Sequence, residues 1–142
     1  MGLAFEVACE EIPADLETPV SVFMKTAEGE YSYLLESVEG GERVARYSII
    51  GFDPLIIFRA KGDSVEIEGG GEKRWMRGNP LDALEHLMSS LRVGPLPAEP
   101  RFFGGAVGYF GYDLVRHLER FRSWPLTTSG CPTAILSSRE RC

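Results

Sequence analysis

A chain of 142 residues with 44% hydrophobic side chains is long enough for one domain with its own core and is not disordered by composition. Its 21 acidic residues outweigh 15 basic ones for a formal charge of -6, and no cluster of Lys or Arg is interleaved with aromatics, which excludes a nucleic-acid surface from the expectations. No apolar run approaches the roughly 20 residues that span a bilayer, and the start turns acidic where a signal peptide stays apolar, so no membrane association is expected and the expected compartment is the cytoplasm.

Thr18-Pro19 opens a short helix, because Thr caps free amides and Pro suits the first helical position; Val20, Phe23, Met24 and Ala27 follow at helical spacing and Gly29 stops it. From Glu30 the period changes to two. Strands are predicted at 31–37, 46–52, 55–60, 64–68 and 73–77, separated by Gly40-Gly41, Asp53-Pro54, Gly62-Asp63 and the triplet from Gly69 to Gly71, an antiparallel meander. In the strand SVEIE, Val65 and Ile67 face the core, while Ser64, Glu66 and Glu68 face water, with the two carboxylates serving solvation. Asn79-Pro80 repeats the cap-and-proline signal, and Leu81, Leu84, Leu87, Met88 and Leu91 form one stripe of a helix of about three turns that covers the sheet. Pro95, Pro97 and Pro100 mark a linker to a further strand and a short helix. In that strand Gly105, Gly108 and Gly111 match no phosphate-binding pattern, and the spacing suits close packing of Val107, Tyr109 and Phe110 against a second unit. The final twenty residues carry only Glu140 against Arg139 and Arg141 and show little periodicity beyond Ala134-Ile135-Leu136, which predicts a frayed tail.

Chemistry-bearing residues are sparse. Cys9, Cys131 and Cys142 lack CxxC spacing, and His86 and His117 lie far apart, so neither a disulfide framework, a zinc site nor a Cys/His nucleophile pair is supported. The stretch from Tyr31 to Pro54 has the character of a pocket wall: Leu35 and Ser37 share one face of an extended strand and Glu36 takes the other. A serine ending an apolar face is more often a strand-ending hydrogen bonder than a ligand contact.

Taken together, EEIPADLETPVSVF from Glu10, LLES at Leu34 to Ser37, GGERVARYSIIGFDP from Gly40 and FFGGAVGYFGYDLVRHLE from Phe102 resemble the N-terminal portion of anthranilate synthase component I, across nearly everything before about residue 122. Aminodeoxychorismate synthase component I is similar in the same region; LLES followed by GGER favours the anthranilate branch. The resemblance implies a lyase family that converts chorismate to anthranilate in tryptophan biosynthesis, with ammonia from a glutamine amidotransferase subunit, component II, and a magnesium ion beside the substrate. It also implies feedback inhibition by tryptophan, with Leu35, Glu36 and Ser37 contributing one half of the inhibitor site and a C-terminal domain the other. The fold expected is α+β, a largely antiparallel sheet with two main covering helices, as part of a larger two-domain α/β sandwich.

Residues 1–122 are read as this N-terminal-like domain and 123–142 as an aberrant tail, from a shifted reading frame or a natural truncation. The chorismate-binding domain, with the family's catalytic groups and magnesium ligands, is not expected within these residues. No catalytic residue is assigned, and the chain alone is expected to be inactive. The alternative functions are a stand-alone tryptophan-binding or amidotransferase-docking module.

Overall fold

The computed structural model describes residues 3–27, 29–36, 47–94, 105–118 and 133–140. Two helices of eight or more residues accompany a mostly antiparallel sheet and a separate parallel pair, an α+β architecture as expected.

The helix starts follow from local chemistry. Helix α1 (Pro19–Thr26) begins with a capping box in which the Ser21 amide donates to Thr18 Oγ1 at 3.1 Å and the Thr18 amide donates to Ser21 Oγ at 2.9 Å. Helix α2 (Pro80–Ser90) starts the same way, with the Leu81 amide donating to Asn79 Oδ1 at 2.9 Å and Pro80 at a position that needs no donor.

The sheet is organised around one long strand. Strand β2 (Tyr33–Glu36) pairs antiparallel with the start of β3 (Ser48–Lys61), and β4 (Ser64–Gly69) pairs with its end, from Ile56↔Gly69 to Lys61↔Ser64. The turn at Gly62, φ +56, closes that hairpin, and Gly70 and Gly71, both at positive φ, close the next one into β5 (Glu72–Arg77). Strand β3 therefore joins what the sequence pattern divides into 46–52 and 55–60. The chain passes through Asp53-Pro54 without leaving the sheet because Asp53 adopts a left-handed conformation, φ +49, and the ladder on the other edge shifts register on both sides of Pro54.

That other edge pairs with β8 (Thr133–Glu140), which in turn pairs with β7 (Ala106–Gly108). The frayed-tail expectation is thus corrected for these eight residues, which form an inner strand between β3 and β7. Their sequence carries no two-residue alternation to announce this, and the pairing is supplied by a strand more than seventy residues away. A second feature without a local signal is the parallel pair of β1 (Leu3–Phe5) and β6 (Leu91–Val93), three residues each. Leu91, read from its spacing as part of the α2 stripe, is the first residue of β6.

The core lies on one face of the β3–β4 hairpin. Phe58, Ala60 and Val65 are buried there, with Ile67, Ala83, Leu84 and Leu87 packed against them, so α2 covers the sheet as its stripe predicts. A 3-10 turn (Tyr112–Leu114) and the short α3 (Val115–Leu118) follow β7; Tyr109 and Phe110, between β7 and that turn, are exposed.

Candidate functional site

Strand β2 carries two of the three residues singled out from the sequence. Leu35 pairs with Ile49 and Glu36 with Ser48; both side chains are exposed, and as neighbours in a strand they lie on opposite faces. Ser37 lies outside the described residues, as do Gly40-Gly41 and the turn that follows it. The N-terminal half of the strand is better held: Tyr33 and Leu34 are half-buried, α1 packs against both β2 and β3, and the Tyr33 ring lies where a Cβ on its partner Gly51 would be. Gly51 is buried under that ring, so the absence of a side chain at 51 allows the aromatic contact. Tyr47, just beyond the last described pair of the ladder, exposes a further aromatic surface near Glu36.

Two residues upstream of β2, Tyr31 joins a polar cluster that the sequence pattern does not single out. Arg59 Nη1 donates to Glu66 Oε1 and to Glu68 Oε2, each at 3.0 Å, and Nη2 donates to the Tyr31 hydroxyl. The guanidinium carbon lies 5.3 Å from the centroid of the Tyr31 ring, within cation–π range. Lys73 completes the cluster, 3.1 Å from Glu68 and 3.8 Å from Glu66. The Tyr31 hydroxyl is the main influence holding the Arg59 guanidinium protonated above its ordinary value, with Glu68 adding to it against the cost of desolvation. Arg59 and then Lys73 hold the Glu68 carboxyl below the usual carboxylate range. The reading of Glu66 and Glu68 as solvated surface is therefore corrected: Glu66 is only 15% exposed, and both acids accept from Arg59. A signal was available, since the two-residue Gly62-Asp63 turn places Arg59 opposite Glu66 and Ile57 opposite Glu68.

A smaller exposed cluster caps α1, where Ser21 Oγ donates to Glu17 Oε2 at 2.6 Å and Lys25 pairs with the same carboxylate. Lys25 first, then Ser21, lowers the Glu17 pKa.

A surface depression lies elsewhere among the described residues. An open cleft of about 670 Å³ is lined by Lys61, Asp63, Ser64, Arg77, Gly78, Asn79 and His117. It sits at the far end of β3, ten residues of extended chain from Gly51, or roughly 30 Å at the rise of a strand. His117 Nδ1 is 3.9 Å from Asp63 Oδ1, too far for a hydrogen bond. None of Leu35, Glu36 and Tyr31 borders this cleft. Among the described residues no group of three or more His, Cys, Asp or Glu side chains comes together to hold a metal ion, and no helix is long and apolar enough to cross a membrane. Of the three cysteines, Cys9 is exposed and free, and Cys131 and Cys142 lie outside the described residues.

Comparison with known proteins identifies the relatives of this sequence. Anthranilate synthase component 1 of Acetivibrio thermocellus is 46% identical over 123 residues, covering 86% of this chain and 25% of the relative. The proteins of the same name from Synechocystis and Pseudomonas aeruginosa are 45% and 44% identical over 112 residues, each covering 78% of this chain. The chain is homologous to part of anthranilate synthase component 1. It spans about a quarter of the length of these relatives, and no family model matches it. Identity at this level across so much of the chain extends the resemblance carried by LLES and GGER from separate motifs to most of the sequence, and it favours the anthranilate branch over the alternatives.

Proposed function

We propose that this chain supplies the tryptophan-facing, regulatory portion of anthranilate synthase component 1, with β2 as one wall of the inhibitor site. The observation that carries the reading is the 46% identity over 86% of the chain to a protein of that name. The exposure of Leu35 and Glu36 at the end of a strand whose first half is held in place supports it. An amino acid inhibitor needs a partner for its ammonium, partners for its carboxylate and an apolar slot for the indole. Ser37 hydrogen-bonds the carboxylate and Leu35 with a neighbouring aromatic such as Tyr47 lines the slot, while Glu36, on the opposite face of the strand, offsets the ammonium only if the chain bends where β2 ends. One strand supplies one side of such an enclosure.

In the assembled enzyme the reaction is the conversion of chorismate to anthranilate, a lyase step in tryptophan biosynthesis. Ammonia comes from a glutamine amidotransferase subunit, for which the words "component 1" in the relatives' names imply a counterpart. The acid-base groups and the magnesium site belong to the three quarters of the relatives' length that these residues do not match. The cytoplasm is the expected compartment for such an enzyme.

The test is a chimera in which the matched quarter of the Acetivibrio thermocellus protein is replaced by this chain's residues. With chorismate, ammonia and magnesium it is expected to form anthranilate, followed by fluorescence; a chimera that folds and forms none overturns the family role. The 142 residues alone are expected to form no anthranilate and to bind tryptophan weakly or not at all in a calorimetric titration, because a wall without its opposite face encloses little of the ligand.

A further inference from the structure

We propose that Arg59 is a positioning residue for β2, acting through Tyr31 to fix the register of the strand that carries Leu35 and Glu36. The role of those two residues rests on the functional reading above; the clamp itself rests on geometry alone.

Register is the vulnerable property of β2. The strand has four residues, and its side chains alternate between faces, so a slip of one residue along β3 exchanges the faces presented by Leu35 and Glu36. Four pairs on one neighbour specify register weakly, and the two outer pairs involve the exposed Leu35 and Glu36. Among the described residues, the anchoring contacts lie at the other end.

The structure places two anchors there. The first is the Tyr33 ring on Gly51, a contact that no other residue of β3 reproduces after a slip, because the neighbours Ile50 and Phe52 carry side chains. The second is Tyr31, at the joint where one edge of β3 passes from β2 to β4. Arg59 reaches that joint already immobilised: one terminal nitrogen is shared by Glu66 and Glu68, which leaves the other to take the Tyr31 hydroxyl beneath a ring that also faces the cation. Lys73 neutralises the second negative charge of the acid pair. A planar fork serves three acceptors in fixed directions, which a lysine ammonium at 59 does not reproduce. The cluster thereby ties the entry of β2 to the β3–β4–β5 hairpins, the part of the sheet that packs on the core.

The test compares amide hydrogen exchange in β2 and β4 of the full chain for Arg59→Met, Arg59→Lys and Tyr31→Phe. Expected is an acceleration of about tenfold at the β2 amides in all three variants, with Val65 and Ile67 in β4 within about twofold of wild type. Loss of the Tyr33–Gly51 cross-strand proximity in the nuclear Overhauser spectrum is expected alongside. Unchanged β2 exchange, an equal acceleration in β4, full rescue by Arg59→Lys, or a wild-type β2 with no protection would each overturn the clamp. Where Arg59→Met fails to fold, Tyr31→Phe removes a single hydroxyl and still decides the matter. In the chimera, Tyr31→Phe is expected to raise the tryptophan concentration for half-inhibition several-fold. An active chimera insensitive to tryptophan would refute the ligand reading of β2 and leave the clamp to the exchange data.

Discussion

The two ends of β3 belong to one strand but have different surroundings. From Ile56 to Lys61 the strand pairs with β4 and carries Phe58 and Ala60, which are buried with Val65 under α2. From Ser48 to Gly51 it pairs with β2 and meets α1, a helix with no buried residue. Apolar side chains on α1 and in the segment before it remain in water: Leu16 is 98% exposed and Met24 79%, with Ile12 and Val20 also exposed at four-residue spacing. One end of the strand is thus stabilised by burial and the other by specific contacts, namely a capping box, a ring on a glycine and the Tyr31 hydroxyl that Arg59 reaches from the buried end. The proposed ligand strand lies at the end held by specific contacts, where exposed apolar surface leaves room for further binding.

The largest effect that separates the ends is expected from core truncation. Phe58→Ala should destabilise the chain by about 3 to 5 kcal/mol, whereas Met24→Ala, a truncation of an exposed side chain on α1, should stay within about 0.5 kcal/mol, both measured by denaturant unfolding. Comparable losses at the two positions would break the comparison. Next is Gly51→Ala, which drives a Cβ into the Tyr33 ring and should cost about 1 to 3 kcal/mol. Adding Tyr33→Ala should recover part of that loss, and strict additivity in the double-mutant cycle would refute the contact. Thr18→Ala removes the capping-box acceptor and should cost about 1 kcal/mol, read as lost helicity and a lowered unfolding midpoint.

Smaller effects sharpen the contrast. Leu16→Ser with Met24→Ser should leave unfolding almost unchanged and reduce self-association in sedimentation, since these side chains bury little within the chain. Acid should act on the arginine fork. Because the folded pKa of Glu68 is lowered, its ionised form stabilises the fold above the ordinary value of 4.5, and that contribution is lost as pH falls below 4.5 toward the lowered folded pKa. The wild-type unfolding midpoint should therefore drop more steeply below 4.5 than that of Glu68→Gln, and parallel curves would contradict the assignment.

Elements with local signals were legible in the sequence. Thr18-Pro19 and Asn79-Pro80 announce both main helices because capping depends on adjacent residues, and the glycine turns at Gly62 and at Gly70-Gly71 fix the β3–β4–β5 register. Elements defined by distant partners were not. The continuity of β3 depends on the left-handed Asp53, the parallel β1–β6 pair joins segments some ninety residues apart, and β8 takes its place from a ladder across the sheet. Of the candidate site, the strand that holds Leu35 and Glu36 and their placement on opposite faces were legible from the period of two, and Ser37 lies outside the described residues. Glu66 and Glu68 misled because alternation on a strand signals solvation unless a cation stands across the hairpin, and Arg59 does.

The measurement that bears most directly on the functional reading is tryptophan inhibition of the chimera, compared with its Ser37→Ala and Glu36→Ala variants. Tryptophan is expected to inhibit anthranilate formation by the parent chimera, and each substitution should raise the half-inhibiting concentration about tenfold or more, the loss of one charge-assisted or hydroxyl contact. An active chimera whose inhibition is indifferent to both substitutions would contradict the assignment of this strand to the inhibitor site.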